Sequence, residues 1–385
     1  MAAATSTEQS VPRPRRRIGA GVVALCVLAA MFFACVLTLP YTFGRVREAG
    51  GAAVPRFNAG SPSLSRMPPA FLARDADQTA RARDSTERWL LGTDALGRSL
   101  LLRLLAGGGV SLTIGLLATA LSVSIGTLYG ALSGYAGGRV DALLMRIVDV
   151  LYGLPYVLLV VLLAVASDAV VSEYVSRHKE RTGIVLAEAR ETLRAQGKPA
   201  DAVAARDLLA SDAELRERLE AEAMRVAPPR LIAEGTRTFL DLSTLLFAIG
   251  GVSWLTMARV VRGQVLSLRN QPFVEAARAL GLSPWRIFAR HVLPNLSGTI
   301  IVYATLTVPQ AILQESFLSF LGIGVRPPLP SWGNLAAEGL GEINPYQSDW
   351  WLLVFPCLAL AATLLSLNFV GEWLRERFDP KRATR

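Results

Sequence analysis

The sequence predicts an all-α integral membrane protein with six transmembrane helices and a long polar insertion between the third and the fourth. Three observations carry that expectation. Of the 385 residues, 52% are hydrophobic and only 18% charged, with a mean hydropathy of +0.37. Several uncharged stretches reach the roughly 20 residues needed to cross a ~30 Å hydrocarbon core, a length that a soluble core does not require. Arg and Lys, finally, gather in alternate short loops. The net charge of +9 therefore reads as cations flanking membrane spans, not as a nucleic-acid surface.

The first span, 18–39, follows the basic stretch RPRRR at 13–17. Its charge order resembles a secretory leader, but its apolar run exceeds the ~7–15 residues of a cleavable segment and no A-x-A site follows. It is expected to stay as a span, with Arg13, Arg15, Arg16 and Arg17 holding a basic N-terminus, 1–17, in the cytoplasm. An external loop, 40–109, contains LGTDALGR at 91–98, and GGG at 107–109 reads as a flexible entry to the next helix. The second span, 110–132, is rich in Gly, Ser and Thr, as expected where helices pack closely in lipid.

The third span is expected at 147–166 and the fourth at 239–255, separated by the polar insertion 167–238. Within it, 184–196 and 203–226 have helical composition and opposite charges at i,i+4 such as Glu214 with Arg218, which predicts a helical hairpin outside the membrane. The fifth span is expected at 298–320. The sixth, 350–370, is bracketed by Trp350, Trp351 and Trp373 like an interfacial belt, and a cytoplasmic tail, 378–385, closes the chain. Cys26, Cys35 and Cys357 all fall in apolar runs with no CxxC or Cys/His pairing, and read as small core residues.

Orientation follows from the short loops. Connections 133–146 and 256–297 and the end after 370 carry Arg139, Arg146, Arg259, Arg262, Arg269, Arg278, Arg286, Arg290, Arg375 and Arg377, whereas 321–349 carries Arg326 alone. Both termini are therefore expected in the cytoplasm, and the insertion outside.

Catalytic signals are sparse. No G-x-x-x-x-G-K-[ST] sequence occurs, so the chain is not expected to cradle ATP phosphates. His178 and His291 lie on separate loops, which disfavours a hydrolytic triad or a His-based metal site. Glu315, inside the fifth span, is a candidate for either a structural hydrogen-bonding role or a transport pathway.

The stretch FVEAARALGLSPWRIFARHVLPN at 273–295 stands out, because it is amphipathic, basic and flanked by spans. A helix from 271 to 280 can present Ala276, Ala277 and Ala279 as a thin surface. Gly281 suits the position after a helix where φ must be positive. Ser283 offers a capping oxygen and Pro284 a favoured first residue for a second helix, which Pro294 would end. Such a pair of helices fits a groove on another protein or lies flat on lipid, and the physics of the sequence leaves both open.

EAA at 275–277, Gly281 and HVLPN at 291–295 resemble the "EAA loop" of binding-protein-dependent ABC importer permeases. LGTDALGRSLLLRLLAGGGVSLTIG at 91–115, GGRVDALLMRIVDVLYGLP at 137–155 and ESFLSFLGIGVRPPLPSWGNLAAEG at 315–339 are similar to the second permease subunit of oligopeptide/dipeptide importers. The resemblance runs from the first span to Arg377 and omits 167–238, since the family usually joins these two spans briefly.

It implies an ABC type I importer permease fold with a core at 110–377. It implies that 271–294 forms coupling helices seated in a cleft of a separate ATPase subunit, with Mg-ATP on that partner and no cofactor on this chain. The implied interface is Glu275 as a polar contact, Ala276 and Ala277 as close packing and Gly281 as the turn, completed by Arg278, Ser283, Pro284 and Pro294. Further implied partners are a homologous permease subunit, a solute-binding protein facing external loops such as PPLPSWG at 327–333, peptide substrate and membrane lipid, in a bacterial cytoplasmic membrane. Asp94 and Arg98 would be available to pair, for substrate or for the fold. The same machine carrying nickel or another small solute is an alternative. An ATP-independent secondary transporter is a second, disfavoured because the spans are nearly uncharged and show no internal repeat.

Overall fold

The computed structural model describes residues 18–47, 53–72, 90–229, 234–343 and 348–378. The basic residues expected at 1–17 and 379–385 lie outside them. Among the described residues, six helices are long and apolar enough to cross a membrane. In chain order, helix α1 is Ile18–Thr42, α2 Leu100–Ala136, α3 Gly138–Tyr152 and α4 Tyr156–Ser176. The polar insertion supplies α5 (His178–Ala195), α6 (Ala202–Ser211) and α7 (Ala213–Val226). Then follow α8 (Glu234–Leu268), α9 (Pro272–Ala279), α10 (Pro284–Ile287), α11 (Leu293–Phe320), α12 (Trp332–Gly341) and α13 (Trp351–Phe378). A short antiparallel ribbon pairs β1 (Arg45–Arg47) with β2 (Ala53–Pro55).

Helix α2 is the centre of the molecule and packs on α1, α8, α11 and α12. Its spacing of Gly126, Gly130 and Gly134, one helical turn apart, lets α8 approach backbone to backbone. A Cβ at Gly126 would stand 2.8 Å from the Trp254 carbonyl oxygen, and one at Gly134 2.9 Å from that of Arg262. At Gly130 the obstacle would be the Ala258 carbonyl itself. One apolar core joins α2, α3, α4, α8 and α11 through residues such as Ile114, Val148, Val160, Ile249 and Ala311.

The helices differ from the expected spans in instructive ways. Helix α2 begins at Leu100, so Gly107, Gly108 and Gly109 are buried helix interior, not a flexible entry. There Gly108 admits the ring of Trp332 and the sulfur of Cys35. The expected third span merges two elements. Residues 147–152 belong to amphipathic α3, Gly153 to Pro155 break the chain, and the apolar crossing is α4, which runs on to Ser176. Helix α8 likewise overshoots its apolar window at both ends. Trp351 is buried against Leu100 and Leu352, so it is core and not belt. Cys35 is buried, but Cys26 and Cys357 are exposed on helix surfaces and are not core residues.

The insertion forms three helices where a hairpin is expected. Asp212 breaks 203–226 because its carboxylate accepts from the Leu215 amide at 2.9 Å and starts a new helix. Asp201 caps α6 in the same way, from the Val203 and Ala204 amides at 3.0 and 2.7 Å. Val185, Ala189, Leu193, Ala205, Leu219 and Ala223 make a small core of their own. The i,i+4 ion pair that forms on α7 is Arg216 with Glu220 at 2.7 Å, rather than Glu214 with Arg218.

Candidate coupling site

The segment 271–294 folds as a bent pair of helices docked on the ends of α2 and α8. Gly281 has φ +74°, and the bonds around it are those of a Schellman turn. The Leu282 amide donates to the Ala277 carbonyl at 3.3 Å and the Gly281 amide to the Arg278 carbonyl at 3.0 Å. Val274, Ala277, Ile287 and Val292 point inward onto Ala131, Met257, Val261 and Val265. Tyr135, near the end of α2, donates its hydroxyl to the Pro284 carbonyl at 2.6 Å and packs edge-on against Phe288, ring centroids 5.4 Å apart. The exposed residues include Glu275, Ala276, Arg278, Gly281 and Ser283, and the most exposed large apolar ones are Leu280 (81% exposed) and Trp285 (75% exposed).

Three expectations are corrected here. Ala276 and Ala277 do not share a surface: they are about 100° apart on a helix, so Ala277 is buried in the chain's own core while Ala276 is exposed. Ser283 stands at the start of α10, but its side chain makes no capping bond, and only the Ser283 carbonyl is engaged, by the Ile287 amide at 3.0 Å. Pro294 does not end the motif. A π turn at Phe288–Val292 fuses α10 to α11, so Pro294 falls at the start of α11 inside continuous helix and not at a helix end. Asn295 satisfies the His291 carbonyl from its side-chain amide at 2.6 Å. The outcome is a continuous rod, Pro284–Phe320, of 37 residues, or ~55 Å at ~1.5 Å per residue.

Two acids absent from the expected site brace this end. Asp141 on α3 accepts two bonds from Arg262, each at 2.5 Å, and one from the Ser133 hydroxyl at 2.5 Å. Hydrogen bonding to Arg262, aided by Ser133 and by the charge of Arg269, outweighs burial and holds the Asp141 carboxyl below the ordinary Asp range. Asp149 pairs with Arg259 at 2.7 Å, whose guanidinium also lies 3.9 Å above the Tyr152 ring. Arginines that sequence reads only as orientation signals are thus structural. The available clue is the spacing of Asp141 and Asp149, two turns apart on one face of α3.

At the far end, Asp94 and Arg98 do pair, at 2.7 Å, but they belong to a larger cluster. Asp94 also accepts from Arg103 at 2.8 Å and from the Leu96 and Arg98 amides at 2.9 Å each. Arg103, almost fully buried, forks onto both carboxylate oxygens of Glu338 on α12, at 2.5 and 2.9 Å. Glu315 is fully enclosed: the Ser319 hydroxyl donates to it at 2.7 Å and the Ser316 hydroxyl at 3.3 Å, with Ser111 and Ser331 contributing from α2 and the start of α12. The PPLPSWG stretch is mostly packed inside. Pro327 and Pro328 are exposed, but Pro330, Ser331, Trp332 and Gly333 are buried, with the Trp332 amide donating to Ser111 at 3.3 Å.

A six-span helical protein with a tightly packed interior and a bent two-helix lever at one end is built as a membrane transport subunit. Residues 126–384 match the family described as "Binding-protein-dependent transport system inner membrane component", and the chain belongs to it. It is a membrane permease component, not a catalytic subunit. Among its relatives are the oligopeptide transport system permease protein OppC of Haemophilus influenzae, 36% identical over 75% of this chain and 70% of that protein, and the dipeptide transport system permease protein DppC of Bacillus subtilis, 35% identical over 77% and 70%. Escherichia coli K12 OppC is 36% identical over 83% of this chain and 81% of its own length.

Proposed function

We propose that this chain is the transmembrane permease subunit of an ABC importer that moves oligopeptides or dipeptides across the bacterial cytoplasmic membrane. A separate ATPase carries Mg-ATP and drives it through residues 271–294. The observation that supports this reading is the lever itself. Its inner face is locked into α2 and α8, and its outer face presents Leu280, Trp285 and a Glu275/Arg278 pair of charges around a Gly281 turn. Such an outward apolar pair needs a cover, and a groove on the ATPase provides one. Glu275 and Arg278 contribute charge-assisted contacts there, while Ala276 allows close approach. Closure of the ATPase on nucleotide then displaces the lever, and the continuous rod carries that displacement to the enclosed Glu315 at the other end.

In this reading both termini are cytoplasmic, the substrate path lies against a homologous permease subunit, and a solute-binding protein docks on the opposite face. Asp94, Arg98 and Glu315 are positioning groups that hold α12 in place, and they do not touch substrate. The functional test is ATP-dependent uptake by the assembled transporter in vesicles, with labelled di- to pentapeptides compared with Ni²⁺. Accumulation of peptide is expected. Accumulation of Ni²⁺ in its place would overturn the cargo, and accumulation without ATP would overturn the class.

A further inference from the structure

The insertion contains a cavity of about 550 Å³, within the ~300–1,000 Å³ range of small-ligand sites, formed jointly by α5, α6 and α7. One wall is apolar: Val185 and Ala223 are buried and Leu209 is half-buried. Three arginines line it, Arg181 from α5, Arg206 from α6 and Arg216 from α7, and Glu220 is the only carboxylate among the lining residues. Glu220 is taken, because it pairs with Arg216 at 2.7 Å.

The other two arginines are not neutralised. Arg206 is exposed and makes no ion pair among the described residues. Arg181 donates to the Ser176 carbonyl at 2.5 Å and to the Met224 sulfur, a weak acceptor, at 2.9 Å. Its Nε is buried with no acceptor among the described residues. Two uncompensated guanidinium groups beside an apolar wall complement a carboxylate joined to an apolar body. The carboxylate accepts charge-assisted bonds, and the body removes Leu209 and Met224 from water.

We propose that this cavity binds a small apolar carboxylate, with its charged end between Arg181 and Arg206 and its apolar portion against Val185, Leu209 and Ala223. The free C-terminus of a hydrophobic peptide and a fatty acid share this chemistry. The site does not depend on the peptide-importer reading, since it is built wholly from the insertion. An anionic phospholipid fits less well, because the apolar wall belongs to a bundle beyond the end of α4, and acyl chains would have to leave the bilayer to reach it.

The test is calorimetric titration of the full chain in phosphatidylcholine nanodiscs with Leu-Leu-Leu, with its C-terminal amide and with decanoate. Saturable binding of the free acids is expected, with the amide weaker by about tenfold or more, the worth of a charge-assisted hydrogen bond. Arg206→Glu should weaken the acids by a similar factor. Arg218→Glu, the same charge change on α7 outside the cavity, should leave them unaffected. Tighter binding of the tripeptide assigns the site to peptides, and tighter binding of decanoate assigns it to fatty acids. The proposal is overturned by equal affinity for acid and amide, by equal effects of the two variants, by no saturable binding, or by binding confined to phosphatidylglycerol vesicles. Peptide uptake by the assembled transporter, measured on Arg206→Glu, reports on transport separately from this site.

Discussion

At the scale of the residue, Gly281 and Asp141 decide most. Gly281 sits at φ +74° with open space around its would-be Cβ, so only backbone strain, not crowding, resists a side chain there. A β-branched residue in that region costs on the order of 1–3 kcal/mol. Gly281→Val should therefore distort the lever and reduce ATP-driven uptake, while the chain still inserts and stays folded in detergent. Uptake at the wild-type rate would count against the lever assignment. The turn is legible because the pattern of an alanine-rich helix, a glycine and Ser-Pro has one backbone solution.

Asp141 is less legible: its spacing to Asp149 marks a shared face of α3, but nothing in the sequence says that this face meets Arg262, 121 positions away. Its carboxyl is held below the ordinary Asp range, so the stabilisation is present above the unfolded value of ~3.9 and is lost as pH falls through the lower folded value. Asp141→Asn should lower the Tm at neutral pH by about 1–2 °C, equivalent to about 1 kcal/mol, a low figure because Arg262 is partly solvated. The difference between variant and wild type should vanish in strong acid and stay constant from about pH 6 to 8, well above both values. A difference that changes across that neutral range would point to another group.

At the scale of the element, hydropathy locates all six crossings but misplaces their ends. Helices continue past their apolar windows when the polar residues find partners. Arg103 lies in the first turns of α2, buried among Asp94 and Glu338, and a window that reads Arg as a boundary stops short of it. The opposite error merges α3 with α4, because 147–154, apolar apart from Asp149, looks like membrane until Pro155 forces a new start. Pro294 looks like a stop for a related reason, since a π turn has no sequence signature that distinguishes it from a helix end. Packing is more legible, as small residues in the second span anticipate close contact. Replacing Gly130 by Leu drives side-chain atoms into the Ala258 carbonyl, and α2 and α8 must separate. A loss of about 3 kcal/mol or more is expected from such overpacking. It would appear as aggregated or degraded chain, whereas truncation of a side chain on an exposed face of the same helix, such as Leu128→Ala, should leave assembly intact.

At the scale of the whole molecule, two bracing clusters lie at opposite ends of one rigid interior. Asp141–Arg262 and Asp149–Arg259 tie α3 to α8 beside the lever, and Asp94–Arg98–Arg103–Glu338 ties α2 to α12 at the far end. Between them α2, α8 and the Pro284–Phe320 rod, which contains the π turn at Phe288–Val292 and Pro309, pack along one another, so displacement at 271–294 acts directly on the packed interior. Family membership and the lever together make the transport reading coherent, while the three-helix insertion stands apart with its own core. The most direct measurement is site-directed crosslinking in the assembled transporter after replacing Cys26, Cys35 and Cys357 by Ser. Single cysteines at Leu280 and Trp285 should capture the ATPase in high yield, with a yield that changes when ATP is bound, while one at Phe247, exposed on α8 away from the lever, should not. Crosslinks from Leu280 and Trp285 that reach only lipid or solvent, in a complex that still hydrolyses ATP, would contradict the account.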